Sequence, residues 1–318
     1  MFTPINPNAS KEVKDLLNYF ESIQGNGILT GQHTQTIEQK ELSHIEQKTG
    51  KLPAVCGFEL LAYSPNIRYE TCDEVCLKEV YENRDTLKKA YEWAARGGIV
   101  TFTWHWYSPI GGHDKSFYTE KTDFDASLVL VEGTPEREAF YHDMDVMAEL
   151  LRGFQEKRIP ILWRPFHEAN GKWFWWGAKG QEVVRELYRL MYHYFTDVKH
   201  LDNLIWVWNN DVKEGYVGDE YCDILSADYY PPAYNHTPLK EQYNLLRSIS
   251  STKPLAIGEI GPLPDISAMK EAGTDWLWFM MWSNDFACTD RFTTDETFKE
   301  QYSHPYAINL DEIKKRLA

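Results

Sequence analysis

Eight short, nearly uninterrupted apolar runs recur along the chain. They cover residues 27–33 (GILTGQH), 52–60 (LPAVCGFEL), 98–106 (GIVTFTWHW), 159–168 (IPILWRPFHE), 203–210 (NLIWVWNN), 222–230 (CDILSADYY), 253–261 (KPLAIGEIG) and 276–285 (WLWFMMWSND). Apolar residues at successive positions predict parallel strands buried on both faces. Between the runs, apolar residues fall at helical spacing. In GQEVVRELYRLMYHYF, for instance, Val183, Val184, Leu187, Leu190, Met191, Tyr194 and Phe195 share one stripe. Gly97-Gly98 stops the preceding amphipathic segment just before the third run. Strand and helix thus alternate from end to end with no low-complexity linker. This predicts an α/β fold, and eight repeats favour a (β/α)8 TIM barrel over an open doubly wound sheet. The absence of GxGxxG after the first run also disfavours a dinucleotide-binding fold. We expect one catalytic domain over 1–318, with an N-terminal helix at about 8–24 closing the barrel bottom. The longest strand-to-helix loop follows the third run, at about 107–133.

Composition narrows the partners. A formal net charge of −15 argues against nucleic acid or an anionic membrane surface. Aromatic residues make up 14% of the chain, which suits either a core of large side chains or a cleft lined with flat apolar faces for sugar rings. The five cysteines show no zinc-ligand spacing, so we expect no metal. Cys72 and Cys76 are able to bridge if they lie in a loop, but a regular helix holds an i,i+4 pair poorly for a disulfide. No run is long enough to span a membrane. The first residues lack the charged and apolar regions of a signal peptide, as would a mature chain whose leader had been replaced by Met1.

In a barrel of this kind the chemistry lies at the C-terminal ends of the strands. Reading those ends in order gives His33, Glu59, His105-Trp106, His167-Glu168, Asn209-Asn210, Asp228 to Tyr230, Glu259, and Trp282 to Asp285. Alternation groups Arg164, Phe166 and Glu168 on one face of the fourth run, and Leu255, Ile257 and Glu259 on one face of the seventh. Those two strands lie nearly across the barrel from each other, so Glu168 and Glu259 are expected to face over a cleft. Paired carboxyls beside aromatic platforms are the equipment of glycoside hydrolysis. Glu168, followed by the tryptophans of NGKWFWW, suits the protonated acid. Glu259, within expected reach of Arg164 and Tyr230, suits the ionised nucleophile.

These residues resemble glycoside hydrolase family 26. RPFHEANGKWFWWG is similar to its acid/base motif, in which a His precedes the catalytic Glu and a Trp follows five residues later; here these are His167, Glu168 and Trp173. IGEIG resembles the nucleophile strand and gives Glu259. TWHW resembles the third-strand Trp-His element, which makes His105 a contact for the sugar just before the cleaved bond and sets Trp106 beside it. SADYY matches the Asp-x-Tyr of the sixth strand, giving Asp228 as a supporting residue with Arg164, and Tyr230 as the hydroxyl that holds the nucleophile. MMWSND matches the eighth-strand Trp platform, here Trp282. The resemblance spans the third to eighth strands. It departs in the loop after the third, where members often carry tryptophans and this chain has Phe117, Tyr118 and Phe124.

The resemblance implies retention of anomeric configuration, no cofactor, and most commonly endo-β-1,4-mannanase action on mannan, glucomannan or galactomannan. The same catalytic pair serves a minority acting on mixed-linkage β-glucan or β-1,3-xylan, and exo release of mannobiose is a further alternative. The expected partner is a β-mannan polysaccharide or oligosaccharide, for a monomer that is secreted, at the cell surface or periplasmic, with cytoplasmic location left open. Two rival readings exist. One is a metal-dependent barrel hydrolase using His33, His105, His167, Glu168, Asp228 and Asp285, against which the first strand lacks a His-x-His. The other is a non-catalytic sugar-binding barrel, against which both glutamates are present.

Overall fold

A computed structural model describes residues 2–317; Met1 and Ala318, which the expected domain includes, lie outside the described residues. Seven parallel strands form one curled sheet in sequence order: β2 (Gly31–His33), β3 (Val55–Glu59), β4 (Ile99–Thr103), β5 (Ile161–Arg164), β6 (Leu204–Asn209), β7 (Ile224–Tyr229) and β8 (Leu255–Ile260). The first apolar run is split at Thr30, and its leading half, β1 (Ile28–Leu29), pairs instead with β9 (Ala307–Ile308). The eighth run forms no regular strand. Its backbone nevertheless bonds to both edges of the sheet. Leu29 and His33 donate to Leu277 and Met281 on one side, while Ile257 and Ile260 donate to Trp278 and Met280 on the other.

Alternation sorts each strand into two layers. Outward residues such as Phe102, Trp163, Trp206, Trp208 and Leu225 pack with Leu151 and Phe154 of α5 (Pro135–Glu156) and with Leu187 and Tyr188 of α6 (Gln181–His193). Trp206 and Trp208 are therefore core. Inward residues Val55, Ile99, Leu162, Ile205, Ile224 and Ala256 meet α1 (Lys11–Ile23). Ser10 caps α1 by accepting from Val13 N–H, and the helix buries Val13, Leu16, Leu17, Phe20 and Ile23 against the beginnings of the strands. Each such side chain contributes about 1.5–3 kcal/mol on burial, so the strand starts are sealed and polar groups are left to the other end.

Carried to the strand ends, the inward phase places Glu59, Thr103, Arg164, Asn209 and Asp228 on the interior. It does not do so for Glu259. Leu255 and Ile257 face outward into the helix layer, and strict alternation would send Glu259 with them. A β-bulge reverses the phase. Ala227 pairs with Ile257 but Asp228 pairs with Glu259, so Gly258 has no partner on β7. A Cβ at Gly258 would come within 2.4 Å of Asp228 Oδ1, which is why only glycine fits there. The expected shared face of Leu255, Ile257 and Glu259 is thus corrected: Glu259 faces inward because of the bulge.

The grouping of Arg164, Phe166 and Glu168 is corrected as well. The strand ends at Arg164, Phe166 takes φ +52° and joins the outer layer, and Glu168 takes φ +52° in the turn that follows. Left-handed backbone at a non-glycine residue costs about 1–2 kcal/mol. It is held here by Asn209, whose side-chain oxygen accepts from Glu168 N–H at 2.7 Å.

Candidate active site

Arg164 organises the centre. Buried at the end of β5, its guanidinium donates to both oxygens of Asp228 (3.2 and 2.9 Å), to Thr103 Oγ1 (2.8 Å) and to Glu259 Oε1 (2.5 Å). Tyr230 Oη donates to the other oxygen of Glu259 at 2.5 Å. Asn209 Nδ2 donates to Asp228 Oδ1 at 2.7 Å. Glu168 receives one side-chain donor, the indole N–H of Trp173 at 2.6 Å. Oxygens of Glu168, Asp228 and Glu259 lie within 4.8 Å of one another. The structure therefore brings the two glutamates together over one cleft, with Asp228 behind them.

Three carboxyls share one guanidinium, and burial dominates their protonation. It raises Glu168 and Asp228 above their ordinary values, with further upward pressure on Glu168 from the charge of Asp228. It pushes Glu259 up to about 8, again with Asp228 next in importance and Arg164 and Tyr230 opposing. Carboxyls this close titrate as a group, so the cluster retains a proton near neutrality. Donors to the ionised form are most numerous on Asp228 and Glu259 and fewest on Glu168.

A histidine chain forms one wall. Glu59, buried at the end of β3, accepts from His105 N–H (2.8 Å) and pairs with His105 Nδ1 (2.7 Å). Burial lowers the pKa of His105, but the charge and hydrogen bond of Glu59 outweigh it and the net shift is upward. His105 Nε2 lies 3.2 Å from His167 Nε2. Burial and the neighbouring His105 hold His167 well below its ordinary pKa, so we assign it as the neutral acceptor, with its buried Nδ1 lacking a protein partner. His33 packs against Trp282 with ring centres 4.3 Å apart and planes tilted by 34°, and His105 lies 6.1 Å from the same ring. Trp282 is half-buried on this side, while Trp173, 45% exposed, stands beside Glu168. Trp173 rests against Gly171, where a Cβ would overlap the ring at 2.1 Å.

Some expected contacts sit elsewhere. Trp106 is fully buried, stacks on Trp104 at 4.0 Å and donates its indole N–H to Asp143 at 2.6 Å; it is turned away from the cleft. His167 is buried behind His105, so it reaches the cleft through that ring. Trp175 and Trp176 are core, donating to the backbone oxygens of Trp106 and His167. Asp285, one of the ligands in the metal reading, is exposed at the start of a short helix (Asp285–Cys288) and faces Arg291. Glu59 and Asn209 were legible as strand ends but had no role in the sequence. Thr103 carried no signal, since a threonine in a strand is ordinary.

The position of Trp106 makes a prediction. Trp106→Phe is expected to remove one of the donors to the buried carboxyl of Asp143, costing about 1–3 kcal/mol, with turnover unchanged. Thermal unfolding and kinetics of the variant check this. Unchanged stability with weakened substrate binding would return Trp106 to the cleft.

Two facing carboxyls, one held by an arginine and a tyrosine and the other by the indole of Trp173, at the end of a curled parallel α/β sheet, have the composition of a glycoside-cleaving site. The sequence profile of glycosyl hydrolase family 26 matches residues 5–312, and the chain belongs to that family. A mannan endo-1,4-beta-mannosidase of Thermothelomyces thermophilus is 37% identical over 320 residues, covering 97% of this chain and 63% of that protein. Mannan endo-1,4-beta-mannosidase A of Piromyces sp is 30% identical over 98% of this chain and 50% of its own length. The chain thus spans about half to two thirds of these relatives. Among solved structures, a Podospora anserina GH26-CBM35 beta-(1,4)-mannanase superposes with TM-score 0.90 at 35% identity, over all of this chain and 70% of that one. A beta-mannanase from a symbiotic protist of the termite Reticulitermes speratus, complexed with gluco-manno-oligosaccharide, gives TM-score 0.87 at 27% identity over 98% of both chains.

Proposed function

We propose that this chain is a retaining endo-β-1,4-mannanase acting on mannan, glucomannan or galactomannan. The observation that carries the reading is the approach of Glu168 and Glu259 to within 4.8 Å, oxygen to oxygen. Carboxyls about 5–5.5 Å apart suit double displacement, whereas inverting enzymes need about 6.5–9.5 Å to admit a water. Glu259 attacks the anomeric carbon; Arg164 and Tyr230 favour its ionised form against the burial that raises its pKa. Glu168, the carboxyl with fewest donors, holds the shared proton and gives it to the departing glycosidic oxygen. It then takes a proton from water, and the resulting hydroxide equivalent releases the sugar from Glu259. His105, oriented by Glu59 and His167, positions a sugar hydroxyl, and Trp173 and Trp282 stack on ring faces on either side of the cleaved bond.

The same reading takes the 276–282 segment, bonded to both sheet edges, as the eighth strand closing a (β/α)8 barrel in a single catalytic domain. The named activity of the family relatives supports the mannan backbone. No helix among the described residues is long and apolar enough to cross a membrane. Action outside the cytoplasm follows from the size of the polymer.

Incubation with linear β-1,4-mannan, barley mixed-linkage β-glucan and β-1,3-xylan in parallel tests the substrate. Manno-oligosaccharides of mixed length from mannan alone are expected, with the β-anomer appearing first by proton NMR. A single short product would make the action exo, cleavage of the glucan or xylan alone would overturn the backbone, and an initial α-anomer would overturn the mechanism.

A further inference from the structure

Cys72 and Cys76 are not held as an i,i+4 pair within one helix. Helix α3 (Glu74–Glu82) begins after its cap, Asp73, whose carboxylate accepts from Cys76 N–H at 2.8 Å. Cys76 is in the first turn of the helix, but Cys72 precedes the cap, in a turn closed by the N–H groups of Thr71 and Cys72 on Arg68 O (2.9 and 3.1 Å). The geometric objection raised by the sequence therefore falls away. Both residues are free thiols, and their sulfurs lie within 4.8 Å of each other and of a carboxylate oxygen of Asp114. Asp114 is not available as a third metal ligand, because one oxygen pairs with Lys121 at 3.1 Å and the other accepts from Asp73 N–H at 3.3 Å. What remains is sulfur chemistry between two neighbours, one half-buried and on a turn, the other buried at a helix start.

We propose that Cys72 and Cys76 are an oxidation site that closes to a disulfide in an oxidising medium, stapling the turn before α3 to its first helical turn. The site lies beneath the long loop after β4: Cys76 Sγ touches Tyr107 Oη at 3.1 Å, and Cys72 Sγ lies 3.9 Å from Asp114 O. That loop carries Phe117, whose ring packs edge-on against His105 at 5.0 Å. A staple here braces one support of the cleft wall, and the inference stands whatever the substrate.

With glutathione disulfide as oxidant, the thiol of Cys72 loses its proton to solvent. Its thiolate attacks one glutathione sulfur, and a glutathione thiolate leaves and is protonated. The thiolate of Cys76 then attacks Cys72 sulfur in the mixed disulfide and expels the second glutathione. Two protein thiols are oxidised and one glutathione disulfide is reduced to two thiols. Burial and the neighbouring Cys76 push the Cys72 thiol up to about 12, so closure accelerates as pH rises above neutrality.

Both cysteines lie on one tryptic peptide, residues 69–78, between Arg68 and Lys78. The folded protein is treated with glutathione disulfide at pH 7 and pH 9, denatured, alkylated and digested. The expected product is this peptide unalkylated and lighter by two hydrogens, formed faster at pH 9 and reversed by dithiothreitol. Oxidation should also raise the melting temperature by about 2–5 °C in the native chain and not in Cys72→Ser. A peptide alkylated at both positions, or carrying glutathione on Cys72 without closure, would overturn the proposal. An equal thermal shift in Cys72→Ser would assign the effect to other thiols and overturn the stapling role.

Discussion

Replacing Glu259 with Gln is expected to lower turnover on β-1,4-mannan by on the order of 10⁴-fold while leaving oligosaccharide affinity within about threefold. The amide has nearly the shape of the carboxylate, and its oxygen still accepts from Arg164 or Tyr230. It is not a nucleophile, so no glycosyl-enzyme bond forms. Steady-state kinetics alongside calorimetric binding of a manno-oligosaccharide separates the two effects. Binding should hold because the proposed sugar platforms Trp173 and Trp282 and the proposed His105 contact are untouched. Substantial turnover in this variant would mean that another group attacks, and Asp228, within 4.8 Å of Glu259, would be the next to replace. Loss of both binding and thermal stability would mean that the substitution had collapsed the Arg164 network instead. The conservative Glu259→Asp then discriminates: shortening the carboxylate should still cost most of the activity if reach to the anomeric carbon matters.

Glu168→Ala should divide the reaction by leaving group. On mannan, where the departing sugar hydroxyl needs a proton, turnover is expected to fall by about 10²–10⁴-fold. An aryl β-mannoside with a good leaving group needs no acid in the first step, so it should glycosylate Glu259 readily and show a burst before slow hydrolysis. Azide, which needs no general base, should restore the second step and yield a β-mannosyl azide. Equal losses on both substrates would remove Glu168 from the acid/base role.

The pH profile gives a second readout. Burial and the charge of Asp228 raise the pKa of Glu168 above its ordinary value. The proton needed by the leaving group is therefore present at neutral pH and is lost as pH rises through the raised value. The alkaline limb of kcat/KM on mannan belongs to that loss. For the activated aryl substrate the limb should vanish in Glu168→Ala, because no acid is left to titrate.

How far these residues were legible depends on whether local pattern or long-range packing set their direction. The inward phase at β3 to β7 follows from each strand alone. Val55 and Glu59 share a face, as do Leu162 and Arg164, and Ile224 and Asp228, because two residues make one strand period. The pair of carboxyls was also legible, because RPFHEANGKWFWWG and GEIG place them where apolar strands end. Trp106 shows the limit. Its neighbour His105 does face the cleft, but an indole beside it has two faces of the strand end to choose from. The buried carboxyl of Asp143, from a helix starting some thirty residues later, settles the choice.

By itself the sequence determined the repeat of strand and helix, the sealed starts and polar ends of the strands, and the pair of glutamates, since each is fixed by period and by the cost of burying charge among apolar residues. The tertiary structure decided where those glutamates point. Glu259 is turned inward by a bulge at Gly258, whose missing side chain makes room for Asp228 on the neighbouring strand. Glu168 is aimed by a left-handed turn that Asn209 holds from another strand. Both depend on contacts between residues far apart in the chain, which no periodicity along one segment encodes.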